Sequence, residues 1–284
     1  MQTITFECEV ITPMFLAGAD GTTPELRAPS IKGALRFWWR AMNGHLTLEA
    51  MRKAEGEIFG DTTQRSSIIL YPLEIIKTNE VKISGTPHHR NGYCKSSRSN
   101  CYYGNGNSCK KANTQKALFY TFKLRVRFND TKISKDKIEN LFKTTFLLGG
   151  IGKRERRGFG SIQITSLDTF SSKQKIEEFI NSLSSIASAI SYPFFKKVEI
   201  GKKCNDYSEV LVEIGEASHD YANDALGFAK GQQRFASPIY ASVIKDENGS
   251  FYPILTTLNT AAKNPINNLS AQTDFIKALK PAVI

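Results

Sequence analysis

Three groups of residues in this chain have the types and spacing to do chemistry. The first lies in PHHRNGYCKSSRSNCYYGNGNSCKK, which holds His88, His89, Cys94, Cys101 and Cys109. His88, Cys94, Cys101 and Cys109 form the donor set of a tetrahedral Cys3His zinc site, which could staple a loop with no core of its own. The spacing is irregular and no CxxC occurs, so a reduced basic loop is the alternative. Tyr93, Tyr102 and Tyr103 stand among cations there and suit base stacking in either case. The chain has four histidines, and no Ser-His-Asp arrangement is apparent from order or spacing.

The second group is PSIKGALRFWWRAMNG, residues 29–44. At helical periodicity Ile31, Ala34, Leu35, Trp38, Ala41 and Met42 share one arc, the core face. Lys32, Arg36 and Arg40 recur every four residues and form a cationic stripe on another face, with Trp39 at the border. Trp38 is expected to pack inward and Trp39 to lie beside the cations. There Trp39 would offer a stacking surface for a single-stranded base, with phosphate ligands close by. Ser30 is a plausible N-cap, and the backbone N–H groups of Ser30, Ile31 and Lys32 favour phosphate. The alternative is a buried tryptophan pair with a solvated basic flank.

The third group is LLGGIGKRERRGFGSI, where five glycines surround Lys153, Arg154, Arg156 and Arg157. It is not a dinucleotide fingerprint, because the third glycine is missing and a helix pattern precedes it. It is not a P-loop, because no GK[ST] is present. What remains is a flexible backbone able to approach a phosphodiester chain, with four cations to neutralise it. A loose basic loop between a helix and a hairpin is the alternative.

Charge supports a polyanionic partner. The net charge is +11, and Val81 to Asn129 holds ten Lys and Arg and no acidic residue. Nucleic acid is the first candidate for such a one-signed field and a membrane surface the second. No stretch approaches 18 apolar residues, which argues against a membrane span. MQTITFECEV lacks the basic start of a secretory signal, and five irregularly spaced cysteines suit reduced thiols, so a cytoplasmic location is expected.

The elements that must position these groups can be read from periodicity. TITFECEV alternates as a half-buried strand. A helix follows over the tryptophan segment, and a second runs from Leu48 to Ile58 and stops at Gly60. SSIILYPLEII and LFYTFKLRVRF read as strands, SKDKIENLFKTTFLL as a helix and GFGSIQITSL as a glycine turn running into a strand. This order is that of a ferredoxin-like unit over residues 1–168, with an insertion at about 84–116. Residues 169–284 open with a helix at SKQKIEEFINSLSSIASAI. Strand signals follow at SEVLVEI, SPIYASVIK and SFYPILTTL, the last two joined by a tight turn at Asn248-Gly249. The expected class is α+β, with two ferredoxin-like (RRM-like) domains, the second degenerate, and a basic Cys-rich insertion loop.

PELRAPSIKGALRFWWRAM, KRERRGFGS and QQRFASPIY together resemble the RAMP superfamily of CRISPR proteins. Within it they resemble the family of the first-numbered Cmr subunit of type III-B effector complexes. The resemblance spans residues 24–240 and implies two ferredoxin-like folds at the end of the effector where the guide RNA 3′ region and the target RNA lie. The implied partners are guide RNA, target RNA and other Cmr-complex subunits, and no stand-alone nuclease activity is implied. Lys32, Arg36, Trp39 and the loop from Lys153 to Arg157 become RNA-contact candidates, joined by Arg234. No histidine lies between Val10 and Ser30, where RNA-processing relatives can place a general base. Asp20, in GADGT, is the carboxylate placed for metal-assisted RNA cleavage as in other backbone subunits of such complexes, and a turn aspartate before Gly21 is its plainer reading. The Cys-rich insertion is outside the family pattern. A metal-dependent endoribonuclease and a structural adaptor are the rival functions.

Overall fold

The computed structural model describes residues 1–18, 20, 23–84, 101–103, 109–111, 114–183, 193–230, 232–259 and 270–281. The first half runs β1 (Gln2–Val10), α1 (Ala28–Met42), α2 (Leu48–Phe59), β2 (Ile68–Leu70), β3 (Glu74–Ser84), β4 (Cys101–Tyr103), β5 (Cys109–Lys111), β6 (Thr114–Phe128), α3 (Lys135–Leu148) and β7 (Ile162–Ile164). The second half runs α4 (Lys173–Ser182), β8 (Phe195–Ile200), α5 (Tyr207–Asp220), β9 (Phe228–Lys230), β10 (Gln233–Phe235), β11 (Ile239–Lys245), β12 (Phe251–Leu258) and α6 (Ser270–Ala278). The architecture is mixed α+β with antiparallel sheets.

The first sheet has the order β2–β6–β1–β7, with β3 also pairing to β6. The β1–β6 register sets Phe6 opposite Leu124 and Cys8 opposite Phe122. Cross-strand partners share a face, so the two alternating patterns merge into one apolar surface. Phe6, Cys8, Phe122, Leu124, Val126 and Phe128 are fully buried, while Arg125 and Arg127 point to the exposed face. β3 and β6 form a long hairpin out to Ser84 opposite Thr114, and the insertion joins those two ends.

Helix α1 differs from expectation at its start. It begins at Ala28 with Arg27 as N-cap, no side-chain cap bond and Pro29 in the first turn, so Ser30 lies inside the helix rather than capping it. Proline in a first turn loses no intrahelical hydrogen bond. Thr47 and Ser134 do cap α2 and α3, their hydroxyls accepting from the Ala50 and Lys137 N–H groups. α3 is buried well beyond one stripe, at Ile138, Leu141, Phe142, Thr144, Thr145, Phe146, Leu147 and Leu148. A helix apolar on more than one side must be covered on more than one side. Accordingly α3 packs on β7 of the first sheet and on β11 and β12 of the second, whose order is β11–β12–β8. The main core is therefore continuous across residue 168 and joins Phe6, Phe122 and Phe142 to Phe195, Tyr240, Ile254 and Leu258.

The strand expected at SEVLVEI is instead part of α5. Asp206 Oδ1 caps it, accepting from the Ser208 and Glu209 N–H groups at 2.7 and 2.9 Å. Val210, Leu211, Ile214 and Ala217 then recur at helical spacing and are buried. The alternation of Val210, Val212 and Ile214 is a local coincidence inside that longer pattern. The turn at Asn248-Gly249 is present, with Gly249 at φ +80° and its N–H donating to the Asp246 carbonyl. β8, the β9–β10 hairpin and α6 complete the second half and had no clear sequence signal.

Candidate nucleic-acid interface

The glycine-rich segment, residues 149–160, is a pinned strap rather than a loose loop. Gly152, Gly158 and Gly160 have φ of +103°, +82° and +66°. A Cβ on Gly152 would meet the Phe15 carbonyl at 2.4 Å, and one on Gly160 would meet the Ile151 carbonyl at 2.0 Å. Glycine at these points lets the strap cross over itself and over the 11–15 segment. The Ile151 N–H donates to Gly160, Gly160 N–H to Pro13 and Lys153 N–H to Phe15. On its far side the Ala241 N–H donates to the Arg156 carbonyl, and a parallel bridge links Arg157 to Ala241 of β11.

The four loop cations divide into two pairs. Arg157 is a staple. Its Nη1 donates to the carbonyls of Arg156 and Ile239 and to Ser237 Oγ, and its Nη2 donates to the Leu226 carbonyl at 3.1 Å. Desolvation, then repulsion from Arg156 and Arg154, draws its pKa down to about 10. Arg156 donates to the Ser237 carbonyl and lies over the Tyr240 ring, 4.5 Å from its centroid. Lys153 is exposed and Arg154 is half-buried, the latter at φ +64°.

Between this strap and α1 lies a cleft of about 330 Å³. Ser30, Gly33, Ala34, Phe37 and Trp38 line one wall, and Gly150 to Gly152, Glu155, Arg156 and Tyr240 line the other. Phe37 stands 5.6 Å from Tyr240 and edge-on to Trp38. Burial pushes the Glu155 carboxyl above the usual carboxylate range, against the Arg156 charge and the Tyr240 hydroxyl that lower it.

The cationic stripe of α1 does not line this cleft. Arg36 Nε donates to Glu55 Oε1 at 2.7 Å, and Arg40 approaches the same oxygen at 3.6 Å. Lys32 Nζ donates to Ser66 Oγ at 3.0 Å. The stripe thus faces α2 and the segment after it. Trp39 corrects the expectation made for it: the residue is only 7% exposed and packs edge-on to Phe59, so its ring is core rather than a stacking platform. Trp38, at 2% exposure, is core as expected. Arg234 sits exposed on the β9–β10 hairpin and is not among the residues lining the cleft. Asp20 closes a turn: its Oδ1 accepts the Thr23 N–H at 2.8 Å and its Oδ2 accepts the Thr23 hydroxyl.

Of the zinc candidates, His88 and Cys94 lie outside the described residues. Cys101 and Cys109 lie two ladder steps apart on β4 and β5, where Cys101 pairs with Lys111 and Tyr103 with Cys109. Among the described residues Cys204, Glu209 and Glu213 also come together. Glu209 Oε2 accepts the Asn205 N–H and Lys202 holds Glu213 Oε1 at 2.7 Å, while Glu213 Oε2 is buried without a hydrogen-bond partner, and burial pushes the Cys204 thiol up to about 12. Gly33, Phe37 and Tyr240 also line the cleft and are not among the residues that the sequence singles out, and Glu155 enters there only as part of the loop from Lys153 to Arg157. Helix periodicity placed Phe37 on no face of interest, and only proximity in space connects Tyr240 to the strap.

A family model of the RAMP superfamily matches residues 7–163, which include α1, the strap and most of the first sheet. The chain belongs to the RAMP superfamily. A Cmr subunit of the Pyrococcus furiosus CRISPR system, Cmr1-2, is 29% identical over 177 residues, covering 57% of this chain and 95% of that one. A second, Cmr1-1, is 26% identical over 171 residues and spans 56% of this chain and 46% of its own. The apo crystal structure of Cmr1 from Pyrococcus furiosus has the same fold, at a TM-score of 0.61 and 18% identity over 99% of this chain and 98% of that one. A chain in a cryo-EM structure of the type III-B Cmr-beta complex bound to cognate target RNA matches at a TM-score of 0.58 and 12% identity, covering 97% and 99%.

Proposed function

We propose that this RAMP protein is a non-catalytic, RNA-binding subunit of a cytoplasmic type III-B (Cmr) effector, contacting the guide RNA 3′ region and target RNA beside other Cmr subunits. The observation that carries this reading is the cleft between α1 and the glycine strap: all of its lining except Tyr240 falls within the residues matched to the superfamily, and Lys153 and Arg154 lie on the strap beside it. The full-length likeness to Cmr1 and to a Cmr-beta chain supports the placement in an effector. No helix among the described residues is long and apolar enough to cross a membrane.

The sheet order β7–β1–β6–β2 supports a ferredoxin-like reading of residues 1–168, and the β11–β12–β8 sheet with α5 and α6 supports a degenerate second copy in 169–284. The two copies would share one core. Zinc in the insertion, on His88, Cys94, Cys101 and Cys109, is part of the same proposal. The metal-dependent nuclease reading is the weaker one, because Asp20 closes a turn with Thr23, the plainer role for an aspartate at that position.

The test is single-stranded RNA affinity against salt. Each phosphate neutralised contributes a slope of about −0.7 on a log–log plot for single strands. Lys153→Ala with Arg154→Asn, the latter chosen because asparagine tolerates positive φ, should flatten the slope by about 1.4 for two lost contacts. An unchanged slope removes the strap from the RNA path.

A further inference from the structure

We propose that the cleft between α1 and the glycine strap receives one unstacked guanine base, and that Glu155 reads its Watson–Crick edge. The inference rests on the RNA-binding reading above and goes further, to the identity of the base.

Gly33 is the first argument. It lies inside a 15-residue helix, is exposed and lines the cleft, and a Cβ built on it meets nothing within 4 Å. Neither packing nor backbone geometry requires glycine there, and helix propensity disfavours it. What its missing side chain does provide is open space at the cleft mouth.

The second argument is the lining. The cleft, at about 330 Å³, sits at the small end of the roughly 300–1,000 Å³ typical of ligand sites, so it suits a single base. Phe37, half-buried and lining it, offers an aromatic surface to the ring. Glu155 and Arg156 place an acceptor and a cation in the same lining.

The third argument is donor matching. A carboxylate has about four lone-pair sites, so the Tyr240 hydroxyl at Glu155 leaves acceptor capacity. Guanine presents two parallel donors, N1–H and N2–H, which match two carboxylate oxygens. Its adjacent O6 is an acceptor for the neighbouring Arg156. Adenine and cytosine present one amino group beside a ring-nitrogen lone pair that the carboxylate repels. Uracil presents one N–H between two carbonyls. A pocket of this kind is useful only where the bound nucleotide does not change from one guide to the next.

The experiment measures binding of the full chain to oligouridine of fixed length, and to the same oligomer carrying one central G, A or C, at constant salt. The G-containing oligomer should bind about tenfold or more tightly than the others, in line with bidentate base contacts. Glu155→Gln and Gly33→Leu should each bring it down to the affinity of oligouridine. Gly33→Ala should raise the melting temperature while reducing the preference for G, a combination that a purely structural glycine does not produce. Equal affinity for all four oligomers, preference for another base, or a G preference that survives Glu155→Gln overturns the guanine assignment and leaves RNA binding standing. Failure of every oligomer to bind overturns both.

Discussion

The two adjacent tryptophans give the sharpest test of how α1 is used. Trp38 and Trp39 are 2% and 7% exposed, and each packs against aromatic neighbours: Trp38 on Phe37 and Tyr240 at 5.3 and 5.1 Å, Trp39 on Phe59 at 6.2 Å. Truncating a buried aromatic to alanine costs about 3–5 kcal/mol, and each aromatic pair lost adds about 0.5–1.5 kcal/mol. Trp39→Ala should therefore cost about 3.5–6.5 kcal/mol, and Trp38→Ala, which loses two pairs, somewhat more. Losses of that size are a large share of a typical domain's stability, so functional readouts need the milder phenylalanine variants. The chain contains only two tryptophans, so Trp38→Phe leaves Trp39 as the sole indole emitter. Denaturant melts of the alanine variants give the stability terms. RNA titration of Trp38→Phe shows whether a base touches the remaining ring, and its emission should not change. Quenching of Trp39 on RNA addition, or a Trp39→Ala cost below about 1 kcal/mol, would refute its assignment to the core.

Four further outcomes are expected. Gly160→Ala should destabilise by more than about 2 kcal/mol in a denaturant melt, because positive φ costs an L-residue about 1–2 kcal/mol before the new Cβ meets the Ile151 carbonyl. Arg157→Lys should cost about 2–4 kcal/mol, since one ammonium cannot serve all four oxygens and each buried acceptor left unpaired costs about 1–3 kcal/mol; a neutral result would mean the staple is idle. Purified without chelators, the protein should carry about one equivalent of zinc by metal analysis, and Cys101→Ser should lose it. Glu155→Gln should be more stable than the parent at neutral pH. Burial raises the carboxyl's pKa in the folded state against the pull of Arg156 and Tyr240. Its favourable contribution is therefore complete below the unfolded pKa and lost as pH rises through the folded one. The advantage of glutamine should shrink as pH falls toward the ordinary carboxylate range, and melts across pH would show it.

The first half was legible in the sequence because its elements carry complete periodic patterns. β1 and β6 alternate over enough residues to fix which face is buried. α2 and α3 bring a capping hydroxyl and, in α2, a glycine stop. In the second half the signals compete. Val210, Val212 and Ile214 alternate over a window too short to outweigh the helical spacing that begins at the Asp206 cap. β8 is a short strand whose pairing partner, β12, lies more than fifty residues away, so its identity depends on a contact that no local pattern encodes.

The candidate site shows the same division between local and non-local information. The sequence marks α1 and the glycine strap as special through their cations. In the folded protein most of those cations serve the fold: Arg36 and Arg40 converge on Glu55, Lys32 bonds Ser66, and Arg156 and Arg157 hold the strap against the 226–241 segment. Charge in a motif reports that a group is needed, not what it binds, since a guanidinium fork matches backbone carbonyls as well as it matches a phosphate. The residues left facing open space are an exposed helix glycine, a half-buried phenylalanine and a carboxylate held above its usual range by burial. None of them stands out in one dimension, because each becomes distinctive only when the strap closes against α1. Gly33 is the most informative of the three. A glycine required by the fold shows a positive φ or a close neighbour, as Gly152 and Gly160 do, and Gly33 has neither. On the guanine reading, the open space that Gly33 leaves at the cleft mouth is what offsets its conformational cost, which makes that mouth the place to look for a bound nucleotide.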